Sequence, residues 1–190
     1  MLRALGLVLA AASAWGAAAP DVIAVVTTST DLKALVAAVG AGRVAVESLA
    51  PPLHDPHAVE ITPGQLARLR SAALLVRIGL DHEPWLGRVL AAVNGPRFAP
   101  GGPNDLDLSR GIDVLQSQTP RVRSERGVHV HGFGNPHYWL DPMNARPMTQ
   151  AIVDALARLA PGERETFARN QARLLAGLDA DLARWTATLA

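Results

Sequence analysis

The chain contains no cysteine among its 190 residues, and only 4% of the residues are aromatic. The absence of cysteine excludes disulfide bonds and also a lipid anchor attached through a cysteine thiol. No basic run is longer than RVRSER at 121–126, and the net charge is only +1 at pH 7. Because a nucleic-acid-binding face needs concentrated positive charge, nucleic acid is excluded as an expected partner.

The first nineteen residues have the layout of a cleavable secretory signal. Arg3 precedes an apolar run, which ends in the small residues 17–19 directly before Pro20. An apolar stretch of this length is typical of a signal peptide rather than of a membrane span. We therefore expect a signal peptide at 1–19 and a mature protein in the bacterial periplasm, without a lipid anchor. The alternative is a buried N-terminal helix of a cytoplasmic protein.

Short β-rich runs alternate with helical patterns along the mature chain. The composition of the full sequence, 49% hydrophobic and 18% charged, is typical of a globular protein. This alternation predicts an α/β fold with a parallel four-stranded sheet flanked by helices. Ligands bind at the carboxyl ends of strands in such sheets, so the loops 50–62 and 117–142 are the candidate site. The predicted strands are 22–27, 43–49, 73–79 and 111–116, and the predicted helices cover 31–39, a segment beginning at 63, and 83–93.

The last part of the chain is predicted to be helical. Residues 148–159 show apolar side chains at helical spacing, and a second apolar stripe runs from Phe167 to Leu189. A helix over 163–189 would be roughly 40 Å long at ~1.5 Å per residue, and it has no glycine, asparagine or proline at its end. Such a helix overhangs a domain of this size, so we expect the chain to stop midway through a larger architecture.

Two histidines are presented from proline-containing turns in the candidate loops. His57 ends the segment DPH, and His137 ends the segment NPH. Proline fixes its own backbone and restricts the residue before it, which stiffens both turns, and Zn²⁺ coordination tolerates little movement of its ligands. Glu60 and Asp141 are close enough in sequence to hold the second ring nitrogens. On these residues alone, a transition-metal site and a pair of buried structural histidines remain alternatives.

Three segments resemble, in order and spacing, motifs of the zinc/manganese ABC-transporter substrate-binding proteins. They are HDPHAVEITPGQLARL, GLDHEPWLGRVL and NPHYWLDPMNARPM, and the resemblance covers the mature chain. It implies that His57 and His137 are the two metal ligands of the N-terminal lobe and that a long helix leads to a second lobe carrying two more ligands. It also implies a receptor without enzymatic turnover, which carries Zn²⁺ or Mn²⁺, with zinc favoured, to an ABC permease in the inner membrane.

The resemblance predicts three regions in the chain. The signal peptide is followed by an N-terminal α/β metal-binding lobe at 20–142 and by a helical segment at 143–190, which includes the long linking helix. The second lobe is expected to be missing. Because the stripe from Leu174 to Leu189 would then lack its cover, we expect self-association through this helix.

Three further residues are candidates for an auxiliary role in metal binding. His129 and His131 resemble a shortened form of the histidine-rich loop of zinc-specific family members, and we expect them to be solvent-exposed residues that assist capture. Glu60 is a further auxiliary candidate. Two other functions stay open: a zinc hydrolase with Glu60 as general base, although no H-E-x-x-H pair is present, and a degenerate receptor fragment that binds little metal.

The remaining histidines are assigned to structure rather than to chemistry. His54 is expected to be an ordinary loop residue. His82, Glu83 and Trp85 stand at the start of the predicted helix 83–93, where an acidic side chain favours the helix dipole and a tryptophan packs against the core.

Overall fold

The structure, a computed structural model, describes residues 22–93, 96–115 and 134–189. The predicted signal peptide lies outside these ranges. The described residues form one parallel sheet in the order β2-β1-β3-β4, with helices on both faces, so the predicted fold is confirmed. The strands are β1 Ile23–Thr27, β2 Val44–Ser48, β3 Leu74–Arg77 and β4 Asp105–Asp107, and the helices are α1 Thr30–Gly40, α2 Pro63–Ser71, α3 Leu86–Ala92, α4 Ala145–Leu159 and α5 Arg164–Leu189.

Alternate residues of the central strands face two different helical layers. Val25 and Val76 point to the layer of α1, α4 and the first turns of α5. Val26 and Leu75 point to the layer of α2 and α3, and all four side chains are buried. This two-residue alternation of strands buried on both faces makes the sheet a rigid platform, with its loops collected at the carboxyl edge.

The helix starts differ in how well the sequence predicts them. Thr62 caps α2 and forms a reciprocal capping box with Gln65, so the predicted start at residue 63 is confirmed. By contrast, α3 begins at Leu86 and not at residue 83. The reason is that the carboxylate of Glu83 accepts hydrogen bonds from the backbone N–H groups of Ile78 and Gly79, which holds this segment as a loop.

The predicted fourth strand at 111–116 is wrong. The edge strand is Asp105–Asp107, and the described residues 111–115 belong to no strand. Arg77 on the neighbouring strand binds both aspartates, at 2.8 and 3.0 Å, so ion pairing replaces the apolar burial that the sequence pattern uses as its signal. The apolar segment instead leads toward the second histidine loop, where the carbonyl of Leu115 accepts a 2.9 Å bond from the N–H of Asn135.

The long helix α5 is buried only at its beginning. Phe167 is fully buried, whereas Trp185 is 45% and Leu189 is 86% exposed. Asp179 of α5 also pairs with Arg146 of α4, which ties the two helices together beyond their apolar contact. In the part of the chain that the structure describes, no helix combines the length and apolarity needed to cross a membrane.

Candidate metal centre

Three histidine rings meet at the carboxyl edge of the sheet. His57 lies in the loop after β2, His82 lies in the loop after β3, and His137 begins a short 3-10 helix between β4 and α4. One ring nitrogen from each lies within 4.8 Å of the other two. The strand order reverses between β1 and β3, and ligands of open α/β sheets bind at such a switch point. The structure thus brings the two sequence-predicted ligands together and adds a third histidine.

The two proline-containing turns have the same backbone geometry. The N–H of His57 donates to Oδ1 of Asp55 at 2.9 Å, and the N–H of His137 donates to Oδ1 of Asn135 at 3.0 Å. In both turns the residue before proline therefore accepts a hydrogen bond from the residue after it, as in an Asx-turn. The backbone of each histidine is therefore restrained in two ways. The pyrrolidine ring of the preceding proline fixes one φ angle, and the hydrogen bond to the Asx side chain holds the N–H of the histidine.

His57 and His137 each have one ring nitrogen within hydrogen-bonding distance of an oxygen that can accept but not donate a hydrogen bond. Nδ1 of His57 lies 2.8 Å from the carbonyl oxygen of His82, and Nδ1 of His137 lies 2.9 Å from Oδ1 of Asn135. Nδ1 must therefore carry the proton in each ring, which leaves the lone pair on Nε2 for a metal. Hydrogen-bonding partners of this kind orient metal-binding histidines in proteins.

The loop that carries His82 is tightly curled. Gly79, Leu80 and Asp81 all have positive φ angles, of 80°, 55° and 58°, and the N–H of His82 donates to the carbonyl of Gly79 at 3.0 Å. A Cβ at Gly79 would collide with the carboxylate of Asp107, so this turn needs glycine for space as well as for its φ angle. The curl buries His82 completely, while the His57 and His137 rings reach the surface.

Glu83 fixes this loop to the ends of two strands. Its carboxylate accepts hydrogen bonds from the hydroxyl of Thr28 at 2.5 Å, from the N–H of Ile78 at 2.7 Å and from the N–H of Gly79 at 3.1 Å. Burial raises the pKa of Glu83, and these three bonds together with the charge of Arg77 act in the opposite direction. Glu83 is structural, as predicted, but it stabilises a loop rather than a helix dipole.

An aromatic wall closes the inner side of the cluster. The ring of Trp139 lies 4.7 Å from that of His82, edge to face, and 5.2 Å from that of His137. The hydroxyl of Tyr138 donates to the carbonyl of Ile78 at 2.7 Å, and burial raises the pKa of this phenol. The segment after His137 is thereby fixed to the end of β3, which sets the distance between the second and third histidine loops.

Trp85 connects the first histidine loop to the rest of the lobe. Its indole N–H donates to the carbonyl of Pro56 at 2.8 Å, and its ring is buried in the cluster that includes Val59. The packing role predicted for Trp85 is therefore confirmed. Because Pro56 directly precedes His57, this bond helps to hold the first imidazole in place.

The other residues singled out from the sequence lie away from the three rings or outside the described residues. Glu60 is exposed and Asp141 accepts from a backbone N–H of its own turn, so the second ring nitrogens are not held by the carboxylates that the sequence suggested. His54 is exposed, with Nδ1 3.0 Å from the carbonyl oxygen of Pro52. His129 and His131 lie outside the described residues.

His82 is the member of the cluster that sequence reasoning assigned to structure. It follows the predicted strand 73–79 by only three residues, and that position alone places it on the edge where ligands bind. The segment HEPW has the composition of a helix start, and this local pattern predicts a structural role for His82. The first turn of that helix begins at Leu86, so His82 belongs to the strand-end loop.

The cluster offers imidazole nitrogens without a carboxylate, a donor set that suits borderline-soft divalent ions such as zinc. The imidazoles lie at the switch point of a parallel α/β sheet, which is where open sheets of this kind bind their ligands. The chain belongs to the ZnuA family, described as zinc-uptake complex component A, periplasmic, which matches residues 25–190. The hydrolase alternative is wrong, because this family consists of metal-binding receptors and Glu60 is not part of the cluster.

Individual relatives agree with this assignment. A putative metal-binding protein of Treponema pallidum is 30% identical over 84% of this chain and 50% of its own length, and the high-affinity zinc uptake system protein ZnuA of Yersinia pestis is 29% identical over 79% and 51%. A crystal structure of a zinc-bound ZnuA deletion mutant superposes with a TM-score of 0.66, at 28% identity, over 84% of this chain and 55% of the other. The chain thus spans about half the length of these relatives.

Proposed function

We propose that the chain captures a divalent transition metal in the periplasm and presents it to an ABC importer, with His57 and His137 as ligands. The observation that supports this most directly is the state of the two rings. Each has its Nδ1–H directed at an oxygen acceptor, at 2.8 and 2.9 Å, which leaves Nε2 as the donor atom for a metal. One ring nitrogen of each lies within 4.8 Å of the other. Fixed tautomers lower the entropic cost of assembling a metal site.

Zinc is the preferred metal in this proposal. Imidazole nitrogens suit zinc, whereas Mn²⁺ prefers carboxylate and carbonyl oxygens, and the metal-ligand cluster within the described residues contains no carboxylate. Relatives are named for zinc and, in one case from Yersinia pestis, for iron. A comparison of Zn²⁺, Mn²⁺ and Fe²⁺ is therefore part of the test.

Export and delivery complete the proposal. Residues 1–19 act as a cleaved signal, and the mature chain works in the periplasm, where the family is placed. The proposal includes no thioether-linked lipid, because the given sequence contains no cysteine; one relative is named a lipoprotein. Its partner is the ABC permease that such receptors serve.

The proposal also includes self-association of the chain through the exposed end of α5. Trp185 and Leu189 are large apolar side chains at 45% and 86% exposure on one helix, and apolar surface of this kind favours a protein partner. We take that partner to be a second copy of the chain.

The experiment for the metal proposal is a calorimetric titration of the chain with each of the three ions. We expect Zn²⁺ to bind more tightly than Mn²⁺ or Fe²⁺ and at one ion per chain. The double variant His57→Ala/His137→Ala should lose the heat of zinc binding, whereas His54→Ala, an exposed histidine of the same loop, should retain it. Zinc binding of equal strength in the double variant would refute the ligand assignment, and no zinc binding by the parent would favour the degenerate-receptor alternative.

A further inference from the structure

We propose that His82 is a third protein ligand, so that this lobe alone supplies three imidazoles to the metal. The inference rests on the proposed function, because it concerns the same site, and it adds a residue from the strand-end loop after β3. Its ring centroid lies 4.2 Å from that of His57 and 5.8 Å from that of His137. The ring centroids of His57 and His137 are 5.7 Å apart. The His57–His82 distance is therefore the shortest of the three.

The distances are compatible with one shared ion. Ligand nitrogens at about 2.0–2.1 Å from a tetrahedral zinc are roughly 3.4 Å from one another. The three candidate nitrogens lie within 4.8 Å, so small rotations of the side chains would bring them onto the metal. The rings are tilted by 47°, 72° and 80° in pairs, which means that they do not stack in parallel and block one another.

The position of His82 is unusual for a residue that only fills space. Its side chain is fully buried beside the ring of Trp139, where leucine or phenylalanine would pack without the cost of desolvating a polar ring. The loop around it is nevertheless strongly constrained, through three positive φ angles and the carboxylate of Glu83. A constrained loop that presents a buried imidazole to two other imidazoles is an arrangement suited to metal ligation.

His82 also acts on the site through its backbone. Its carbonyl oxygen is the acceptor for Nδ1–H of His57, so one residue orients the first ligand and places its own ring beside it. Movement of this loop would therefore affect two ligands together. Two hydrogen bonds restrict such movement, one between Thr28 and Glu83 and one between Tyr138 and the carbonyl of Ile78.

Three neutral imidazoles would determine the coordination number and the metal preference of the site. Zinc with three histidines keeps a fourth position for water or another donor, and a third nitrogen strengthens the preference for Zn²⁺ over Mn²⁺. Since His82 is buried while His57 and His137 are partly exposed, solvent would reach such a site from the side of His57 and His137.

The test combines a ligand count with an affinity. X-ray absorption on the zinc-loaded parent chain should give three imidazoles, and His82→Leu, which preserves apolar packing, should give two. Loss of a partner that merely orients a ligand typically costs 10–100-fold in affinity, so we expect His82→Leu to weaken zinc binding by at least about tenfold in competition with a chromogenic chelator. His54→Leu is the matched control and should leave both readouts unchanged.

The outcomes separate the two proposals. If the parent binds zinc through two imidazoles and His82→Leu binds equally well, the third-ligand inference is overturned while the proposed function stands. If the parent binds no zinc, both are overturned. The ligand count on the parent needs no variant, so a folding defect in His82→Leu would not obscure the result.

Discussion

The carbonyl oxygen of His82 lies 2.8 Å from Nδ1 of His57. Because a carbonyl oxygen only accepts hydrogen bonds, the contact fixes the proton on Nδ1 of His57 and directs the Nε2 lone pair outward. It also joins two loops that leave different strands, so the orientation of the His57 ring depends on the conformation of the loop after β3. The consequences can be tested at several positions around the cluster.

Asn135 should control the orientation of the His137 ring in the same way. Its Oδ1 accepts from both the backbone N–H and Nδ1–H of His137. We expect Asn135→Ala to lower zinc affinity by about 10–100-fold, whereas Asn135→Asp keeps an acceptor at the same place and should restore most of the affinity. Chelator competition on the two variants measures this. Parent-like affinity in Asn135→Ala would mean that the turn does not orient the ring.

Glu83→Gln should destabilise the lobe. Glutamine cannot accept from both the hydroxyl of Thr28 and the N–H groups of Ile78 and Gly79 with a carboxylate's geometry, so at least one buried donor loses its acceptor. We expect the free energy of unfolding to fall by about 1–3 kcal/mol in urea denaturation of the metal-free protein. Glu60→Gln, at an exposed position, is the control. An unchanged midpoint for Glu83→Gln would indicate that relief of the buried charge offsets the lost bond.

Zinc affinity should decrease as the pH falls. Protons and metal compete for the same imidazole lone pairs, and an unperturbed imidazole has a pKa of about 6.5. Binding is therefore favoured above this value and weakened below it, so acid releases the metal. Titrations at a series of pH values between about 5.5 and 7.5 test the sign. An affinity that is constant over this interval would be incompatible with histidine ligation.

The exposed end of α5 should make the chain self-associate. We expect the weight-average mass measured by sedimentation to rise with concentration for the parent chain, and Trp185→Ser/Leu189→Ser to reduce this rise, because the apolar surface is removed. Leu53→Ser removes a fully exposed leucine from a loop outside α5 and should leave the concentration dependence of the mass unchanged. A parent chain that stays monomeric at every concentration would contradict the assignment.

The first three strands and the start of α2 could be predicted because their signals are local. Apolar runs define the strands, and the Thr62-Pro63 pair defines the helix start. The fourth strand could not be found this way, because its aspartates are stabilised by Arg77 from a neighbouring strand. Such a contact between distant segments is not visible in the periodicity of either one.

The metal-ligand candidates, like the strands, can be predicted from the sequence only where their signals are local. His57 and His137 can be predicted as candidate ligands because each follows a proline and an Asx residue that are adjacent to it in sequence. His82 has no local motif of a ligand, and it joins the cluster only because the chain curls back at Gly79 and because Glu83 fixes that curl to the ends of β1 and β3. Strand order, which places the three loops side by side, is likewise a property of the folded sheet.

The most direct test of the metal centre is a ¹⁵N NMR spectrum of the histidine rings, recorded with and without one equivalent of Zn²⁺. For His57 and His137, we expect Nδ1 to be protonated before and after zinc is added and Nε2 to show the shift of a metal-bound nitrogen. The exposed ring of His54 should not change. If zinc leaves the Nε2 signals of both His57 and His137 unshifted, these residues do not hold the metal and the proposed centre is incorrect.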